Sequence, residues 1–137
     1  TSVWNSTTPT ASVFSIGTSS GVNSSSITYV AYLFATVAGV SKVGSYTGTG
    51  ATLNINAGFT TGARFVMIKR TDSTGSWFIW DTARGMVSGT DPKVAANDAA
   101  AESNANWVYT ATSGFQIVTT DATVNASGGS YIYLAIA

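Results

Sequence analysis

Two segments of the chain carry apolar residues on both alternating faces, a pattern that indicates buried β-strands. Residues 28–35 are rich in aromatic and β-branched side chains, and residues 130–136 repeat that composition near the end of the chain. Such strands are normally covered on both sides, because exposing them invites association. We therefore predict that residues 29–35 and 131–136 are buried central strands.

A β-hairpin is predicted in the middle of the chain. Residues 64–70 form an apolar run, residues 71–75 have the composition of a turn, and residues 76–80 are again strand-like. Weaker strand signals lie at residues 12–16, 51–55, 107–109 and 115–119. Turn residues separate these runs at short intervals, as an all-β fold requires. The predicted fold is an antiparallel, jelly-roll-like β-sandwich in which strands are contributed between repeats or chains.

One segment also has helical propensity. Residues 94–102 include three consecutive alanines, which favour a helix. The segment has no apolar stripe beyond the alanines, however, and Asn97 and Asp98 interrupt it. An extended loop over the sheet is the preferred interpretation, with a short helix as the alternative.

An internal repeat divides the chain. The order Phe-x-Ile, Val-Asn-x-Ser and a tyrosine-containing apolar strand occurs twice, starting at Phe14 and at Phe115. Repeated units of this kind indicate a modular array, although two hairpins could share this order by chance. We predict that residues 1–37 are the C-terminal part of a preceding repeat, packed on the main domain or on a neighbouring chain. Residues 38–137 then form a complete β-sandwich repeat.

The composition favours an uncharged, polar surface. Charged residues make up 9% of the chain, against roughly 25% in an average soluble domain, and the formal net charge is zero. Secreted repeat proteins and virion fibres often have such surfaces. Lys69 and Arg70 are the only adjacent basic residues, so no basic stripe predicts nucleic-acid binding. The longest apolar stretch is too short to span a bilayer, so no membrane insertion is expected.

Catalytic chemistry is poorly represented. The chain contains no cysteine and no histidine, which excludes disulfides, thiolate metal sites and Ser-His-Asp hydrolases. A glycosidase needs two carboxylates facing each other across a cleft, and the spacing of the acidic residues places no two of them together. No Asp-x-Asp-x-Asp calcium loop is present. We expect a non-enzymatic protein without a metal or cofactor.

Several short motifs, taken together, resemble a family. They are GSYTGTG at residues 44–50, AGF at 57–59, FVMIKR at 65–70, Trp77, DTARG at 81–85, AE at 101–102, GF at 114–115 and YIYLAIA at 131–137. In this order they resemble the fibre-associated repeat domain of tailed bacteriophages, which is common in phages of aquatic bacteria. The resemblance covers roughly residues 43–137, and residues 4–35 resemble the end of a preceding copy.

The resemblance implies a structural protein of the virion surface, a fibre, spike or capsid-decoration module, with adhesion to host-surface glycans as a further role. Its partners would be other virion proteins and copies of itself. The abundance of aromatic residues, six Tyr, six Phe and four Trp, favours a homotrimer or a higher assembly. Two alternatives stay open. One is a secreted or cell-surface filament subunit assembled by strand exchange, and the other is a carbohydrate-binding module.

Four residues near the predicted hairpin are candidates for a ligand or interface site. Trp77 and Trp80 are three positions apart and should point to opposite faces of a strand, so one belongs to the core and the other could stack on a sugar ring. Asp81 and Arg84 could hold a sugar or a partner chain. The favoured interpretation is an internal ion pair that fixes the loop into Gly85.

A second group of residues is predicted to pack between repeats or subunits. The N-terminal segment has too few strands to bury its own apolar faces, so it must dock on another surface. The residues predicted to supply this docking surface are Phe14, Ile16, Tyr29, Tyr32, Leu33 and Phe34.

Overall fold

The computed structural model describes residues 3–137 and divides into two compact units, Thr1–Leu33 and Phe34–Ala137. Residues 1 and 2 of the predicted N-terminal segment lie outside the described residues. The division falls a few residues before the predicted boundary between residues 37 and 38.

The first unit consists of turns, extended backbone and one short helix, α1 (Ser20–Asn23), among its described residues. Ser19 caps this helix, because its hydroxyl accepts a hydrogen bond from the Gly21 amide. Apart from the capping serine, no feature of the sequence predicts so short a helix.

The predicted strands at residues 12–16 and 29–35 are wrong. Both segments are extended but unpaired, and Tyr32 and Leu33 are exposed rather than buried. A strand is stabilised by hydrogen bonds to a neighbouring strand, and the described residues of the first unit include no strand that could pair with either segment.

The second unit is fully described and contains nine strands and one short helix. In chain order these are β1 (Ser41–Thr47), β2 (Leu53–Asn56), β3 (Phe65–Arg70), β4 (Phe78–Asp81), β5 (Pro92–Ala95), β6 (Ser103–Asn104), β7 (Val108–Ala111), β8 (Gly114–Ile117), α2 (Ala122–Asn125) and β9 (Ser130–Ile136).

Two antiparallel sheets make up this unit. The larger sheet has the order β1-β9-β3-β4-β5-β6, and the smaller has the order β2-β8-β7. The prediction of an all-β antiparallel sandwich is confirmed. The strand predicted at residues 131–136 is also confirmed, since β9 lies between β1 and β3 and most of its side chains are buried.

The predicted hairpin is formed by β3 and β4, in which Val66 lies opposite Trp80 and Ile68 opposite Phe78. No helix forms at residues 94–102, where the end of β5 leads into a turn and extended backbone. The preferred, extended interpretation of that segment is confirmed.

The core lies between the two sheets, where alternate residues of each strand point inward. Its largest fully buried side chains are Trp80, Tyr131, Phe115, Ile68, Met86 and Ile117. Ile68 and Trp80 come from the large sheet, and Phe115 and Ile117 from the small one. Burial of these side chains is the main stabilising contribution to the fold.

A pair of stacked tyrosines closes one end of this core. The rings of Tyr46 and Tyr131 are 4.9 Å apart and nearly parallel, and the Tyr46 hydroxyl donates a hydrogen bond of 2.6 Å to the Val124 carbonyl. Burial, with a smaller contribution from Tyr131, raises the pKa of Tyr46 well above its usual value of 10.0.

The raised pKa of Tyr46 predicts alkaline sensitivity. Below about pH 10 the phenol is protonated in both states, so its contribution to stability is fully present. Above that pH the unfolded chain releases the proton while the folded chain retains it, and the free energy of unfolding falls. Urea unfolding at about pH 8 and about pH 11 should show a smaller alkaline loss for Tyr46→Phe than for the unmodified protein. The exposed Tyr32→Phe serves as the control, and an unchanged loss in Tyr46→Phe would contradict the assignment.

Candidate functional site

The two tryptophans of the predicted ligand site lie in different environments. Trp80 is fully buried in the core, whereas Trp77 has 36% of its surface exposed. The prediction that one of them belongs to the core is confirmed. Trp80 is not available to stack on a sugar ring, and Trp77 is left as the one exposed aromatic residue of the predicted set.

Asp81 and Arg84 form an internal ion pair at the end of β4. Arg84 donates from Nε to Asp81 Oδ2 at 2.5 Å and from its backbone amide to Asp81 Oδ1 at 2.8 Å. The guanidinium also contacts Glu102 Oε2 at 3.3 Å and the Ile79 carbonyl at 3.4 Å. These contacts fix the turn that leads into Gly85, as the favoured interpretation of the sequence predicted.

Glu102 was missed as a member of this cluster. It lies 18 positions from Arg84 in the sequence, and the two side chains meet only in the folded chain. No local spacing could have indicated that contact. The cluster joins three charged side chains on the surface, where ion pairs stabilise a fold by about 0–1 kcal/mol each.

A second cluster that sequence reasoning missed places a lysine between two aromatic rings. The Lys93 ammonium lies 4.7 Å from the ring centre of Phe78 and 4.6 Å from that of Trp107. It also donates to the Ser103 hydroxyl at 3.2 Å. This is a cation–π site filled by the protein's own cation, and it fastens β5 to the neighbouring strands.

Each acidic residue takes part in a structural contact. Asp72 pairs with Arg70, whose hydrogen bond lowers the pKa of the Asp72 carboxyl, and Asp81 and Glu102 pair with Arg84. The remaining three accept hydrogen bonds from backbone amides. They are Asp91, Asp98 and Asp121. The described residues contain no group of acidic side chains suited to hold a metal ion.

The face of the large sheet that points away from the core carries an aliphatic row. Cross-strand pairing aligns Met67 with Leu134 on one side and with Ile79 on the other. Since Val66 and Ile68 point into the core, Met67 and its partners point to the opposite face. The aliphatic row crosses five strands and consists of Val43, Leu134, Met67, Ile79 and Val94.

The aliphatic row is partly accessible. Val43 is 44% exposed, and Met67, Ile79 and Val94 are half-buried, whereas Leu134 at the centre is buried. Asp81 lies on this same face, opposite Phe65, so the Asp81–Arg84 pair borders the row. An apolar centre beside a polar margin is the usual anatomy of a protein–protein interface.

The residues predicted to pack between repeats or subunits are exposed. In the first unit the ring of Phe14 meets that of Trp4 edge-on at 6.4 Å, and this is the only ring contact found for the predicted set among the described residues. The full set is Phe14, Ile16, Tyr29, Tyr32, Leu33 and Phe34. Their accessibility fits a docking role, and the partner stays a prediction.

A small surface cleft of the second unit is lined by four threonines and one alanine, which are Thr60, Thr61, Thr110, Ala111 and Thr112. Hydroxyl groups alone, without an aromatic platform or a charged side chain, give this cleft no distinct ligand chemistry. None of the helices in the described part of the chain is long and apolar enough to cross a membrane.

Comparison with known proteins identifies one family. The family model for a domain of unknown function, DUF7483, matches residues 1–137. No curated protein and no solved structure matches the chain.

Proposed function

This chain belongs to the DUF7483 family, and we propose that it is a non-enzymatic structural module of a bacteriophage virion, located in a fibre, spike or capsid decoration. The observation that carries the structural part of this proposal is the aliphatic row on the outer face of the large sheet. A row of apolar side chains that crosses five strands is suited to cover, and to be covered by, a second copy of the same module.

The use of the acidic residues supports a structural role over a catalytic one. All six carboxylates are engaged by an arginine or a backbone amide, so each has a task within the fold. General acid–base catalysis by carboxylates needs two groups poised towards a shared substrate. The proposed role therefore needs neither a metal nor a cofactor.

The sparse charge supports an extracellular location on the virion. Only 9% of residues are charged, and hydroxyl and amide side chains supply the remaining polarity. The proposed partners are further copies of the module, in a homotrimer or a higher assembly, and other virion proteins. Trp77, the exposed tryptophan of the predicted site, is the residue through which a host-surface glycan would be contacted.

Self-association through the aliphatic row is tested by Met67→Lys. A lysine in the row would place a charge in the proposed interface, and we expect at least about tenfold weaker association, which corresponds to roughly 1.4 kcal/mol. Sedimentation velocity over a concentration series measures it. The control is Asn54→Lys on the small sheet, which adds the same charge at an exposed position.

Two outcomes would contradict the proposal. A protein that is monomeric at every concentration has no such interface, and equal association of both lysine variants places the interface elsewhere. The virion location is tested separately. Antibodies raised against the chain should label fibres or capsids of phage particles that encode it in immunoelectron microscopy, and unlabelled particles would overturn that location.

A further inference from the structure

The two units contain the same local structure around a tyrosine hydroxyl. In the second unit the Tyr131 hydroxyl donates to the Ala122 carbonyl at 2.7 Å and accepts from the Ala126 amide at 2.8 Å. In the first unit the Tyr29 hydroxyl donates to the Ser20 carbonyl at 2.6 Å and accepts from the Ser24 amide at 3.0 Å. A constant offset along the chain relates each residue to its counterpart.

Three further features repeat at that same offset. Asn23 donates from its side chain to the Gly17 carbonyl, as Asn125 does to the Thr119 carbonyl. The capping residues of α1 and α2 correspond, and each accepts a bond from the amide two positions on. The positive φ of 76° at Gly128 recurs as 62° at Ser26, which a serine rarely adopts. Residues 17–29 thus fold locally like residues 119–131.

The burial of the two copies differs sharply. Tyr131 is 1% exposed because β9 continues from it between β1 and β3. The counterpart, Tyr29, is 42% exposed, and the segment that follows it has no strand on either side among the described residues of the first unit. The first unit therefore holds the closing segment of a module without the strands that receive it.

The bonds of Asn125 identify what is missing. Besides the Thr119 carbonyl, its side chain accepts from the Thr49 amide at 2.9 Å and donates to the Ala51 carbonyl at 2.7 Å. Both partners belong to the turn that follows β1. Asn23 has the same local geometry, and no counterpart of that turn is found among residues 3–33.

We propose that residues 17–35 are the closing segment of another copy of this module, and that residues 28–35 insert as its ninth strand between its β1 and β3. The partner of this exposed segment is therefore a module of the same kind whose own ninth strand does not occupy that position. This is β-augmentation within an array of like modules, and it does not depend on a virion location.

The side chains also indicate how the receiving copy differs. Tyr133 covers Gly44, where a Cβ atom would lie only 2.7 Å from the tyrosine ring, so a side chain at that position would have to displace the ring. In the first unit the counterpart of Tyr133 is Ala31, and that of the small Ala135 is Leu33. A receiving copy adapted to residues 28–35 therefore has room for a larger residue where this module has Gly44.

A full-length chimera tests the proposal. Residues 119–137 are replaced by residues 17–35, which have the same length and carry their own capping bonds. In the control, residues 28–35 of the inserted block are shifted by one position, which reverses the two faces of the strand. We expect the amides of β1 and β3 that face the ninth strand to be protected from hydrogen exchange about 100-fold more in the chimera than in the control.

The effect of Gly44→Val on the melting temperature provides a second readout, which does not require the chimera to be as stable as the unmodified protein. In the unmodified chain it should lower the melting temperature, because Tyr133 occupies the space of the new side chain. In the chimera, where alanine replaces Tyr133, it should leave the melting temperature unchanged or raise it. A valine that lowers the melting temperature of the unmodified chain but not that of the chimera supports the proposal, even if the chimera is less stable overall. If the chimera and its shifted control show equal hydrogen exchange, residues 28–35 are not a ninth strand and the proposal is overturned. This holds whether position 44 of both proteins is glycine or valine.

Discussion

Replacing Trp80 with alanine should destabilise the protein far more than replacing Trp77. Trp80 is fully buried between the sheets, where Phe78 packs beside it with ring centres 6.0 Å apart. Truncating a buried tryptophan removes its transfer free energy and leaves a cavity, at a cost of about 3–5 kcal/mol. That loss is a large part of the roughly 5–15 kcal/mol by which ordinary domains are stable.

Trp77→Ala is the matched control, because it makes the same substitution three positions away. More than a third of Trp77 is exposed, so less of its surface is lost from the packed interior. Urea unfolding followed by circular dichroism should show a large shift of the midpoint for Trp80→Ala and a small one for Trp77→Ala. Equal shifts would mean that Trp77 belongs to the core as well. Retained glycan binding in a folded Trp77→Ala variant would remove that residue from the proposed adhesion site.

The tryptophan pair illustrates what the sequence alone can predict. The period of two along β3 and β4, with a turn between them, is a local pattern, and it predicted both the hairpin and the burial of one tryptophan. β9 was predicted because its pattern is also local, since its apolar residues are contiguous in the chain. Contacts that depend on local periodicity could therefore be predicted from the sequence.

Residues 28–35 mark the limit of that reasoning. Their pattern is as strand-like as that of β9, yet they are unpaired, because pairing depends on a neighbour that the pattern does not describe. Lys93 is a second case. Its position between Phe78 and Trp107 results from the order of strands in the sheet, which no spacing in the sequence specifies.

The structural role of Asp91 was not predicted from the sequence. Its carboxylate is fully buried and accepts hydrogen bonds from the backbone amides of Trp107 and Val108, the latter at 2.7 Å. It thereby ties the start of β5 in the large sheet to the start of β7 in the small sheet. The residues that it joins are far apart in the sequence, so no local motif indicates this connection.

Asp91→Ala should therefore be among the most destabilising single substitutions in the chain. It leaves two amides without their acceptor, at least one of them buried, and each buried unsatisfied donor costs about 1–3 kcal/mol. The expected loss is about 1–6 kcal/mol in the free energy of unfolding, measured by urea denaturation. Asp98→Ala is the control, since Asp98 is exposed and accepts a single bond from the Ala100 amide.

Asp91→Asn separates the hydrogen bonds from the charge. The amide oxygen of asparagine can accept from both backbone amides as the Asp91 Oδ2 atom does, so this variant should recover part of the stability that Asp91→Ala loses. The recovery is incomplete, because the other oxygen, Oδ1, is buried without a hydrogen-bond partner among the described residues, and an amide nitrogen in its place is a buried donor without an acceptor. If Asp91→Ala loses no more stability than Asp98→Ala, the two amides do not depend on Asp91 and the hydrogen-bond account is wrong.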